Sequence, residues 1–402
     1  MHTEYQYPIK MKRFFVCLFA IVLFCGSLQC KAQNDSIPFL FRGHLYVHAT
    51  INDTVDCNVL FDTGAADMFG ADSVWLSHSQ WIPENYRYAM AGGGAGATQV
   101  KVIVDLTKVH IGNVEEHYGM VPIFKLRDVV DCHIDAIWGI KHIADYPFEI
   151  NFEHKYLKQY KEGKPDTEGY MCLPIKYENN RILFQAETNI GGKSIKGWYL
   201  MDTGSGGTVD FTTQTTKRYK LEAIPGKRYI TDVTQFGLGD KEQEYFLDML
   251  SNWIVVGNDT IFGKPISYIP EGAGAFSEGP YLGVVGNSIW SKYNIIIDAK
   301  NKMLYLHRFK EDTPLVPTYD YSFRNRTDIG SGWILSALVR DGDAVGAGMA
   351  LGDTIVTING RPVTDYSWEE EYNIDEQAKH VLEIIGADGQ KKQITLEAKL
   401  RW

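Results

Sequence analysis

The tripeptide Asp-Thr-Gly occurs twice, at 62–64 and 202–204, and each copy closes an apolar run, Asn58-Val-Leu-Phe before the first and Trp198-Tyr-Leu-Met before the second. At ordinary residue usage one such tripeptide is expected roughly 0.1 times in 402 residues. A hairpin is predicted ahead of each copy. The first runs from Tyr46 to Ile51, turns at Asn52-Asp53 and returns through Cys57 to Phe61; the second runs from Phe184 to Ile190, turns at Gly191-Gly192 and returns through Gly197 to Met201. Ile51 lies 11 residues before Asp62, and Ile190 lies 12 before Asp202.

The match continues downstream. Ile137-Trp138-Gly139 ends 77 residues after Asp62, and Val284-Val285-Gly286 ends 84 residues after Asp202. From these glycines the copies run in step at an offset of 147 residues: Tyr146 with Tyr293, Ile150 with Ile297, Asn151 with Asp298, Lys155 with Lys302. Duplication is the simplest account. Short or alternating apolar runs such as Val100-Lys-Val-Ile-Val104, Lys108-Val-His-Ile-Gly112 and Asn294-Ile-Ile-Ile-Asp298 are bounded by turn residues, so the chain is expected to be mainly β.

A carboxylate at the end of a buried strand is costly without a partner, and Asp62 and Asp202 are the obvious partners for each other. Two carboxyls in contact cannot both ionise easily and share one proton across acidic pH. Such a pair can hold a water, one member acting as general base and the other as general acid. No metal or cofactor is required. The chain has no His-Glu-x-x-His, no Gly-x-Ser-x-Gly, and its eleven histidines are scattered.

These motifs resemble those of the aspartic protease clan that includes pepsins and retroviral proteases. Asp-Thr-Gly-Ala at 62–65 is similar to the retroviral form and Asp-Thr-Gly-Ser at 202–205 to the pepsin form. The resemblance covers about residues 37 to 310. It implies a bilobal pepsin/retropepsin-like acid protease fold, with an N-terminal lobe over 33–165 and a C-terminal lobe over 166–310. It also implies that Asp62 and Asp202 are catalytic, that Thr63 and Thr203 hydrogen-bond across the two loops, and that Gly64 and Gly204 admit backbone N–H groups to the carboxylates. Substrate-covering hairpins are expected at Ala91 to Ala97, with Gly92, Gly93 and Gly94 at the tip, and at Thr234 to Asp240, with Phe236 and Gly237. A phosphate-loop reading of the first fails for lack of Gly-Lys-Ser/Thr.

Beyond Glu311-Asp-Thr-Pro-Leu-Val-Pro317, a predicted linker, residues 318–402 resemble the PDZ domain of bacterial exported proteases, a small α+β unit. The resemblance rests on Asp341 to Met349, with a short helix near Ala344 to Met349, and on Leu351-Gly-Asp-Thr-Ile-Val-Thr-Ile-Asn-Gly360. Such domains take a peptide as an added strand, with its carboxylate on backbone N–H groups. Here the corresponding loop is Tyr319 to Phe323, and Asp320 puts a negative charge where that carboxylate belongs. The domain is therefore expected either to bind peptides or to dock on the lobes.

Met11-Lys12-Arg13, the apolar run Phe14 to Leu28 and Cys30-Lys31-Ala32 read as a cleaved signal peptide over residues 1–32, too short for a spanning helix. Lipidation at Cys30 is disfavoured because Gln29 is larger than the residue such sites take. About five residues then precede the first strand, too few for a pepsin-type prosegment. Without residues 1–32 the chain keeps 36 basic and 49 acidic side chains, a net charge of −13, which argues against nucleic-acid partners. Cys57, Cys132 and Cys172 remain, as free thiols or as one disulfide with an odd cysteine, and none has metal-ligand spacing.

Together these features point to an exported, periplasmic or extracellular aspartic-type endopeptidase acting on polypeptides. It is expected to be a monomer, because both half-sites lie in one chain. The alternative is a non-catalytic protein that uses the same cleft and the PDZ domain to bind peptides.

Overall fold

The computed structural model describes residues 35–141, 143–235, 237–239, 245–277 and 279–402. The predicted signal peptide, Cys30 and Phe236 lie outside the described residues. The chain is mainly β, with short helices between strands.

Both hairpins form as the alternation predicts. Strand His44–Ile51 pairs with Val55–Phe61, Leu45 opposite Phe61, and Arg181–Ile190 pairs with Lys193–Met201, Leu183 opposite Leu200. Their turns carry positive φ at Asn52, Asp53, Gly191 and Gly192, a twist that suits tight hairpins.

The apolar-apolar-Gly segments are short buried strands. Ala136–Trp138 lies parallel to the first return strand, with Trp138 opposite Phe61, and Gly283–Val285 lies parallel to the second, with Val285 opposite Met201. Each is also antiparallel to the strand that follows its Asp-Thr-Gly, Phe69–Asp72 or Val209–Phe211. The two loops are therefore threaded at the centre of a folded sheet. Gly139 and Gly286 fit there because a Cβ would stand 2.0 Å from the Ala66 carbonyl oxygen in one case and 2.6 Å from the Gly207 carbonyl oxygen in the other.

The repeats join through strands Phe148–Asn151 and Tyr293–Asp298. Phe148 pairs with Ile297 and Ile150 with Ile295. An offset of 147 residues exchanges those two pairs and leaves Glu149 opposite Ile296 at the centre, so the pairing maps onto itself. The turns beyond repeat the same chemistry: Lys155 and Lys302 have φ of 57° and 56°. Asn151 and Asp298 each accept the backbone N–H three residues on. One hydrophobic core, including Phe61, Trp138, Phe148, Tyr199, Trp290 and Tyr293, runs through both repeats.

Residues 319–396 build a separate core around Trp333, Leu335, Ile355, Leu382 and Ile384. The helix expected near Ala344–Met349 is one turn at Asp343–Gly346. Strand Tyr321–Asn325 pairs with Trp333–Val339, and Trp333–Val339 also pairs with Arg228–Val233 of the second repeat, Asp232 opposite Leu338. An Arg340–Asp232 ion pair at 2.6 Å closes that junction. The segment 311–317 has no strand or helix and is pinned at its start, where the Lys264 ammonium donates to the Thr313 carbonyl at 2.7 Å.

Candidate active site

The two Asp-Thr-Gly loops meet face to face. The Thr63 N–H donates to Thr203 Oγ1 at 3.0 Å and the Thr203 N–H donates to Thr63 Oγ1 at 3.1 Å. Each hydroxyl then donates to the opposite strand, Thr63 to the Met201 carbonyl at 3.0 Å and Thr203 to the Phe61 carbonyl at 3.1 Å. Both threonines are buried, so the four bonds form without competition from water. Asn287 adds a further tie, donating to the Thr203 and Gly43 carbonyls at 2.8 and 2.9 Å.

This lock fixes the carboxyls. The Gly64 N–H donates to Asp62 Oδ1 at 2.6 Å and the Gly204 N–H to Asp202 Oδ1 at 2.8 Å. A Cβ on Gly64 would stand 2.8 Å from the Asp202 carboxyl carbon, and one on Gly204 2.4 Å from that of Asp62. Each carboxyl therefore lies over the other loop's glycine, and the two hydrogen-bond to each other. Burial, then the charge of Asp202, pushes Asp62 well above the usual carboxylate range. Burial also raises Asp202, against the hydrogen bond from Asp62 and the backbone N–H groups that favour its charged form. The pair thus holds one proton between its two carboxyls.

A cavity of about 250 Å³ opens above the pair. The glycine-rich hairpin, strands Tyr86–Gly93 and Gly96–Ile103, arches over it, and Gly92, Gly93, Gly94 and Gly237 line it. The Ala95 N–H donates to the Leu238 carbonyl at 2.7 Å, so the tips of the two hairpins touch. Gly93 permits this: a Cβ there would come within 2.3 Å of that carbonyl oxygen. Phe276 covers Gly94 from the other side.

Several lining residues were not singled out from sequence. Leu126, Val129, Val130 and Ile134 make one apolar wall. His44, Arg181 and Asp210 are the further titratable groups. Burial lowers His44 to about 4, so its ring is neutral, and its Nδ1 is enclosed without a partner. Burial, Asp248 and Asp202 raise Asp210 to about 7, and Ser205 Oγ donates to it at 3.4 Å. The signal available was positional, because His44 and Arg181 open the two equivalent hairpin strands.

The apolar wall is also where the C-terminal unit docks. The Cys132 N–H donates to the Asn325 carbonyl at 3.0 Å, on the free edge of strand Tyr321–Asn325. His133 stacks on Trp368 with ring centres 4.4 Å apart and reaches Glu371 at 3.0 Å. Arg127 bridges Asp135 and Asp328 at 2.7 and 3.0 Å. Asp320, by contrast, accepts the Ala344 N–H at 3.2 Å.

Cys57, Cys132 and Cys172 are free thiols. Among the described residues no cluster of His, Cys, Asp or Glu could hold a metal, and no helix is long and apolar enough to cross a membrane. No family model matches the chain, and no curated protein matches it.

Proposed function

We propose that the protein is an aspartic-type endopeptidase of pepsin/retropepsin-like bilobal fold, with a PDZ domain at its C-terminal end. The observation that carries this reading is the reciprocal threonine lock beneath two carboxyls that share a proton. Surface turns have no use for that symmetry.

In this reading a water sits between the carboxyls and the scissile carbonyl. The ionised carboxyl of Asp62 and Asp202 takes a proton from the water while the protonated one gives its proton to the carbonyl oxygen. The resulting gem-diol collapses: the C–N bond breaks, the amine leaves with a proton returned through the dyad, and a carboxylic acid remains. The hairpin over the dyad excludes bulk water and holds the peptide against backbone N–H groups.

The PDZ domain in this reading serves the lobes. Its candidate carboxylate loop is occupied by Asp320, and the open edge of Tyr321–Asn325 receives Cys132 rather than a separate peptide. The predicted signal peptide makes this an exported bacterial enzyme of the periplasm or the extracellular space.

Mass-spectrometric cleavage mapping on a diverse peptide mixture tests the reading. Native protein is expected to cut, and Asp62→Asn and Asp202→Asn to lose about a thousandfold or more in rate. Unchanged cleavage by either variant overturns it. Peptide binding without any cleavage would leave the cleft as a receptor.

A further inference from the structure

Beyond the dyad, the fixed charge in the cleft comes from the second repeat. The first repeat contributes an apolar wall of Leu126, Val129, Val130 and Ile134; the second contributes Arg181 and Asp210 among apolar residues that include Leu200, Leu238 and Phe276. Arg181 and His44 hold equivalent places. Leu45 pairs with Phe61, the residue before Asp62, and Leu183 pairs with Leu200, two before Asp202, so His44 and Arg181 each stand at the start of the strand beside the return strand. One of these two positions is neutral and the other carries a fixed positive charge.

Arg181 lines the cavity, and among the described residues its guanidinium has no hydrogen-bond or ion-pair partner. That is uncommon for a half-buried arginine, whose five donors ordinarily find acceptors. Burial raises Asp202 and Tyr281, and the charge of Arg181 opposes that rise in both. The rival charge, Asp210, is buried, hydrogen-bonded to Ser205 and backed by Asp248. Raised to about 7, it carries little negative charge at acidic pH.

We infer that Arg181 is a specificity-determining residue that takes a carboxylate side chain of the substrate, so the preferred peptides carry Asp or Glu on one side of the cut and an apolar residue on the other. A planar guanidinium with free donors suits a bidentate carboxylate, and the wall from Leu126 to Ile134 suits the apolar partner. The inference rests on the endopeptidase reading, but its binding test does not need catalysis.

Two measurements decide it. In the first, peptides cut by native protein are sequenced and compared with those cut by Arg181→Gln and Arg181→Glu. Native protein should enrich Asp or Glu at one position. Arg181→Gln should lower kcat/KM for those peptides about ten- to hundredfold, and Arg181→Glu should shift the preference to Lys or Arg. An unchanged preference overturns the assignment, as does a shifted pH–rate profile with the same preference, which would make Arg181 a tuner of Asp202.

In the second, matched acidic and neutral peptides are titrated against Asp202→Asn protein, with and without Arg181→Gln. Tighter binding of the acidic peptide, lost with Arg181→Gln, supports the assignment even if native protein cuts nothing, in which case the endopeptidase reading alone falls. Equal binding of both peptides overturns it.

Discussion

Thr63 and Thr203 are joined by two hydrogen bonds in which each backbone N–H donates to the other's hydroxyl, at 3.0 and 3.1 Å. Removing one hydroxyl orphans two buried groups. Thr203→Val should leave the Thr63 N–H and the Phe61 carbonyl unpaired, at about 1–3 kcal/mol each, while Thr203→Ser should restore most of the loss. Thermal unfolding of the two variants beside native protein checks this, and equal stability of the Val and Ser forms would contradict it.

Gly204 should tolerate no side chain. An added Cβ falls 2.4 Å from the Asp62 carboxyl, so Gly204→Ala must displace the dyad by a substantial fraction of an ångström. Activity is expected to drop about a hundredfold with the fold retained, as read by peptide hydrolysis and circular dichroism. Gly119→Ala is the control, because a Cβ there meets nothing within 4 Å and the residue does not line the cavity.

Asp210 should make the protein lose stability as pH rises. Its folded-state value of about 7 lies above the 3.8 of a free aspartate, so the native chain binds the proton more tightly than the unfolded chain. That contribution is complete below about pH 4 and is lost as pH climbs toward 7, on the order of 4 kcal/mol if Asp210 acts alone. Asp210→Asn should therefore show a flatter Tm between pH 5 and 8 than native protein, and parallel curves would refute the assignment.

Trp368 should matter to the cleft although it belongs to the C-terminal unit. It packs on His133 and on Tyr46, with ring centres 4.4 and 4.6 Å away. Trp368→Ala is expected to destabilise by about 1–3 kcal/mol and to raise KM more than it lowers kcat, because the loop it supports lines the cavity. Steady-state kinetics on a single peptide separates the two parameters.

Much of this architecture was legible because duplication prints itself twice. The hairpins before Asp62 and Asp202 were readable from alternation, and the spacing matched Ile137-Trp138-Gly139 with Val284-Val285-Gly286 and Lys155 with Lys302, although it did not show that the first pair are buried strands and the second left-handed turns. What sequence could not supply was proximity across long separations. The contact between Ala95 and Leu238 and the docking of Cys132 on Asn325 join segments with no shared local pattern. The helix at Asp343–Gly346 was foreseen a residue late, since glycine at 346 and 348 shortens it to one turn.

The strand Arg228–Val233 leads into the second hairpin and, through main-chain bonds to Trp333–Val339, also belongs to the sheet of the C-terminal unit. A polypeptide nicked anywhere in 311–317 should therefore not come apart. The two fragments would migrate as one particle under native conditions and separate only in denaturant. A chain shortened to end before residue 318 would expose a raw sheet edge beside the cleft and invite its copies to pair there.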